Sequence, residues 1–113
     1  MTETTRMGLN FKAYDCEDEN EMYRKIGALH SEYRVKRDAL QQKINGELQT
    51  KSPDEAVVND YINQLAELER EYQQQRSDTL LEYKSVLSQD GFARALRELR
   101  IREADNWQPI RSF

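Results

Sequence analysis

The chain is poor in the residues that build catalytic and metal sites. One cysteine, Cys16, and one histidine, His30, stand among 113 residues. That excludes a disulfide framework, a Cys/His zinc site within one chain and any two-histidine metal motif. Four glycines and two prolines are too few for the many turns of a sandwich or barrel. There is no Gly-rich phosphate loop, no HExxH and no Ser/His/Asp arrangement. No apolar run approaches the roughly 18 residues needed to cross a bilayer. The N-terminus has no basic region followed by an apolar stretch, so no secretory signal is read and a cytoplasmic location is expected. A periplasmic domain that had lost its signal would read the same way.

What the chain does have is charge. Charged residues make up 34% and hydrophobic ones 37%, the balance of helices with narrow apolar stripes. The signs alternate by segment. Residues 1–21 carry −4, residues 22–48 carry +3, residues 54–82 carry −6 and residues 83–113 carry +2, with Lys51 between them. Such alternation is expected of segments that pack side by side. No segment is a long basic stripe interleaved with aromatics, so no nucleic-acid partner is expected.

Residues 1–17 are mostly polar and are expected to form an arm. A first helix is predicted from about 18 to 49. Met22, Ile26, Leu29, Tyr33, Leu40, Ile44 and Leu48 recur at steps of 3, 4 or 7, which is one helical stripe and not strand alternation. Ser52-Pro53-Asp54-Glu55 then reads as a capping box: Ser52 as N-cap, Pro53 at the first helical position, Glu55 bonding back. The second helix is predicted over 53–87, with Val58, Tyr61, Leu65, Leu68 and Tyr72 on one stripe and Leu80, Tyr83 and Leu87 on a shifted one. Between them Gln73–Asp78 interrupts the seam, which can fix register or leave a cleft. Two long helices joined by a few residues run antiparallel. The expected register sets Leu29 against Tyr72, Tyr33 against Leu68 and Leu40 against Tyr61, with the basic first helix along the acidic second.

Ser88-Gln89-Asp90-Gly91 breaks the second helix, and Asp90 is the expected cap of a third. Phe92, Leu96 and Leu99 form its stripe, extended by Glu103 or Ile101, and it should end near 104. Residues 105–113 form a tail with Trp107, Phe113 and the helix-stopping Pro109. The fold class is therefore all-α: a long antiparallel helical hairpin plus a short third helix, in residues 18–104. So thin a hairpin leaves its aromatics short of an interior. Self-association into a helical bundle, as a homodimer or higher oligomer, is expected.

Sites for chemistry are sparse. His30 is read as a helix-surface histidine beside the Leu29 stripe. The acidic run 15–21 fails as a calcium loop, because Asn20 falls where Gly is wanted and Ile26 where a bidentate Glu is wanted. Cys16, Met22 and His30 lie on different helical faces. No catalytic residue, metal or cofactor is expected. The candidate partner-binding residues are Arg94, Arg97 and Arg100, with Trp107 and Phe113 beyond them. Arg suits carboxylate forks, and Arg with Trp is characteristic of binding hot spots. The expected function is non-enzymatic protein–protein binding, as an adaptor, assembly factor or inhibitor, without nucleic acid or membrane.

The segment Leu87-Ser88-Gln89-Asp90-Gly91-Phe92-Ala93-Arg94-Ala95-Leu96, closing one long helix and opening the next, resembles the Spy and CpxP group and the related heavy-metal-resistance sensors. There a Leu-Thr-x-x-Gln element stands at that junction. The resemblance spans roughly residues 22–100. It implies an all-helical, dimeric, periplasmic stress or metal-responsive chaperone or sensor without catalysis. Ser88 stands in place of the Thr, the Gln is missing, and the His- and Met-rich ligands are unmatched, so no metal site follows.

Overall fold

The computed structural model describes the backbone of residues 2–107 and the side chains of residues 17–107. Three helices follow in order: α1 (Thr2–Leu48), α2 (Glu55–Lys84) and α3 (Gln89–Ala104). No strand occurs among the described residues, so the fold is all-α. α1 and α2 form the long hairpin, and α3 folds back at its open end. The molecule measures 76 × 34 × 16 Å. Its long axis is close to the roughly 70 Å of a 47-residue helix.

The first helix starts earlier than its apolar stripe suggests. Its backbone is helical from Thr2, through the stretch expected as an arm. Nothing there stops a helix: no proline occurs, and a single Gly costs about 1 kcal/mol.

Both helix starts differ from expectation in which residue caps. α2 begins at Glu55 with Asp54 as N-cap, not Ser52. Asp54 Oδ1 accepts from the Ala56 and Val57 amides at 2.9 and 3.4 Å. The reach-back assigned to Glu55 is made from the other helix, where Glu47 Oε2 accepts the Asp54 amide at 2.9 Å. Pro53 therefore precedes the cap. Aspartate caps as well as serine does, and the bond from Glu47 ties the turn to α1. At the second break Ser88, not Asp90, is the N-cap, its Oγ accepting the Gly91 amide at 3.0 Å. Asp90 sits in the first turn, where its charge complements the helix dipole.

The late start of α2 shifts the hairpin register by up to one turn. Tyr33 stacks on Tyr72, centroids 4.7 Å apart, where Leu68 was expected. Tyr33 also donates its hydroxyl proton to Glu69. The basic helix does run along the acidic one: Lys25 Nζ lies 3.2 Å from Glu82, and Lys43 lies over the Tyr61 ring.

The core is concentrated where three helices meet. Met22 and Ile26 of α1 and Leu99 of α3 are fully buried. Tyr23, Tyr83, Leu87 and Ala95 complete the cluster, with Leu80, Phe92 and Trp107 packed against it. Toward the turn only two helices remain. Leu40 and Ile44 are buried there against half-buried Val58, Tyr61, Leu65 and Leu68. Leu48 and Ile101, expected on the inner stripes, are exposed.

Candidate functional site

The four arginines of α3 divide into two kinds. Arg94 reaches α1, its Nε donating to Glu19 Oε1 at 3.1 Å and its Nη2 to the same atom. Glu19 is buried and also accepts the Tyr23 hydroxyl at 2.9 Å. Arg94 thus fastens the start of α3 to α1. Burial and the Glu19 bond together hold the Tyr23 phenol well above its usual range. Arg102 donates to Glu98 one turn back, Nε to Oε2 at 3.0 Å, and its guanidinium covers the Tyr23 ring at 4.2 Å. Arg97 and Arg100 are exposed. One turn beyond Arg97 on the same face stands Ile101, which is 62% exposed. Of the three arginines expected to share a face, Arg97 and Arg100 are exposed, while Arg94, itself half exposed, is bonded to Glu19 of α1.

The polar interruption of α2 has a partner inside the molecule. Arg76 donates to Glu103 of α3 through Nε and Nη2, at 2.7 and 2.9 Å. Tyr72 gives its hydroxyl proton to the same carboxylate. Arg76 and Glu103 are each more than four-fifths buried. Through Arg76 the interruption is the seat of the last turn of α3, while Gln75 borders a small cavity of about 140 Å³ between α1 and α2. Burial and the charge of Glu103 raise the Tyr72 phenol.

Trp107 folds back as well. The chain leaves α3 through a Schellman motif: the Asn106 amide donates to Glu103 O at 3.1 Å and the Trp107 amide to Arg102 O at 2.7 Å. Asn106 and Trp107 take left-handed φ of 54° and 58°. That geometry suits Asn but is strained for Trp. It carries the indole over α1. A methyl on Gly27 would lie 2.7 Å from Trp107 Nε1 and 2.9 Å from Cε2, so only glycine admits the ring there. Phe113, the other aromatic of the expected site, lies outside the described residues.

His30 is the residue most different from expectation. It is 4% exposed, not a surface residue. It stands 5.8 Å from Tyr72, edge-on, and 5.7 Å from Trp107 between ring centroids. Its Nδ1 has no hydrogen-bond partner among the described residues. Burial pushes its pKa down, against the opposing pull of Glu103. Tyr33, Tyr72, His30 and Trp107 form an aromatic ladder where the three-helix end gives way to the two-helix arm. Gly27, His30, Arg76 and Glu103 were not singled out from the sequence as site residues. A signal existed: Tyr23, Ile26/Gly27 and His30 make a second stripe at helical spacing.

Along the arm lies an open groove of about 430 Å³. Lys36 and Lys43 edge it on α1, Glu67 and Glu71 on α2, and Ala39, Leu40 and Leu68 form its floor. All four charged residues are exposed. Among the described residues no cluster of three or more His, Cys, Asp or Glu could hold a metal ion. None of the described helices is long and apolar enough to cross a membrane. Comparisons with protein-family models, curated proteins and solved structures find no match to this chain.

Proposed function

We propose that this protein acts without catalysis, by docking helix faces onto a protein partner, and that it self-associates. The observation that carries the reading is the outer face of α3. Arg97 stands one turn from both Arg100 and the exposed Ile101, on a helix held at both ends by Glu19–Arg94 and Arg76–Glu103. Two guanidinium groups beside an apolar side chain suit a partner that offers carboxylates beside an apolar patch. The rigid helix limits the ordering cost of binding. Trp107 supports this face from within: it holds the end of α3 on α1.

The test compares stoichiometric capture from a lysate by the wild type and by R97E/R100E/I101D. These three side chains are exposed, so far-UV helicity and Tm should be unchanged. The partner retained by the wild type should be lost from the variant. Equal capture by both would overturn the assignment of the face.

A further inference from the structure

We infer that the Lys36/Lys43–Glu67/Glu71 groove of the arm is a homodimer face, joining two copies about a twofold axis parallel to the helices. The inference deepens the self-association in the reading above and rests on that part of it alone. Three observations lead to it.

The first is incomplete packing. α3 covers the hairpin only at its open end, where Met22, Ile26 and Leu99 are fully buried. Among the described residues no third helix lies over the seam in the arm, and Leu68 is only half-buried. Helix pairs of this kind complete their core as four-helix arrangements.

The second is the placement of charge. Both lysines stand on the α1 edge and both glutamates on the α2 edge of one groove. A twofold axis along the helices lays α1 of one copy over α2 of the other. Rotation about that axis keeps height along the helices, so the lysine edge of one copy lies on the glutamate edge of its partner: Lys36 falls level with the turn between Glu67 and Glu71, and Lys43, level with Tyr61, lies about 9 Å along the axis from Glu67. A twofold axis across the helices would stack lysine on lysine and glutamate on glutamate. The surface is self-complementary in the first arrangement alone, as an isologous interface requires. The present partners are replaceable: Lys36 bonds Glu32 and Glu67 bonds Arg70, both within one helix and exposed. Such pairs contribute about 0.3–0.5 kcal/mol.

The third is area. From Leu29 to Leu48 the face is about 30 Å long. Two helices at 8–10 Å spacing make it about 20 Å wide. Roughly 600 Å² per copy lies at the lower bound of stable interfaces, about 1,200 Å² in total, and below the standard of about 800 Å² per partner. The dimer should therefore be concentration-dependent.

Charge exchange tests the inference, with mass read by analytical ultracentrifugation and folding by circular dichroism. K36E/K43E and E67K/E71K should each weaken homodimerisation at least ten-fold while remaining helical. The quadruple variant, whose edges are complementary again, should recover it. An equimolar mixture of the two double variants should form a heterodimer. A wild type that stays monomeric at all accessible concentrations overturns the inference. So does a dimer indifferent to the double substitutions, or a mixture that fails to pair. Loss of lysate capture by K36E/K43E from a monomeric wild type would give the face to another protein, which also overturns it. None of these readings depends on Arg97, Arg100 or Ile101, so the two proposals fail separately.

Discussion

Replacing Gly27 by alanine should change the stability in opposite directions depending on what stands at position 107. Gly27 lies well inside α1. Alanine there gains about 1 kcal/mol of helix propensity. The new methyl, however, would lie 2.7 Å from Trp107 Nε1, about 1 Å inside ordinary contact distance. The indole must move, and it is attached to a Schellman turn with little slack. A fully buried aromatic covers 150–250 Å², so a partly buried Trp107 covers about 100 Å², or about 2.5 kcal/mol at 25 cal/mol per Å². If the ring is expelled, G27A costs a net of about 1.5 kcal/mol in the wild type. In W107A the ring is already absent, and the same substitution should stabilise by about 1 kcal/mol. The coupling energy is then about 2.5 kcal/mol, and unfolded-state effects of Gly→Ala cancel in the cycle. Urea denaturation followed by circular dichroism measures all four proteins. Trp107 is the only tryptophan, so its emission reports the displacement directly and should shift to the red in G27A. Stabilisation by G27A in both backgrounds, with emission unchanged, would refute the contact.

Stability should also fall with pH below about 6.5. Burial depresses His30 from its ordinary value of 6.5. The unfolded chain therefore takes up a proton that the folded chain does not. Stability is full above that pH, falls as pH drops through 6.5, and levels off below the folded pKa. The groups facing the imidazole are the Tyr33, Tyr72 and Trp107 rings and the charges of Glu103, Arg34 and Arg37. Denaturation midpoints from pH 7.5 to 5 should show this slope in the wild type and lose it in His30→Phe; a slope that survives in the variant contradicts the assignment. Glu103→Gln should cost about 1–3 kcal/mol, since it leaves the Arg76 guanidinium half-satisfied inside the protein. Its effect should shrink when Arg76 is replaced by Met, and additive losses would mean that the pair does not act together.

The helices were legible because periodicity and breakers act locally. Steps of 3 and 4 locate an apolar stripe whatever covers it, and Pro53 and Gly91 stand near the two helix starts. The caps were misassigned because several cap-competent residues stand together. Ser52 and Asp54 compete at one start, Ser88 and Asp90 at the other, and tertiary bonds decide. Glu47 reaching Asp54 is invisible to a reading of positions 52–55. The register error follows from the first of these, because the hairpin pivots on where α2 starts.

The candidate site was less legible because α1 is contacted on two sides and a single-stripe reading assumes one. Tyr23, Gly27 and His30 face α3 and Trp107, so His30 read as surface when only the α2-facing stripe was considered. Glu103 shows how the missing contact could have been sought. A carboxylate in the last turn of a helix opposes the dipole by about 0.3–1 kcal/mol. Arg102, its neighbour, already satisfies Glu98 one turn back. An acid so placed calls for a cation, and the one the fold brings to it is Arg76, inside the polar interruption of α2. Two features that each looked locally out of place are two halves of one ion pair. By the same logic Ile101, apolar and exposed beside Arg97, is a local misfit with no complement among the described residues.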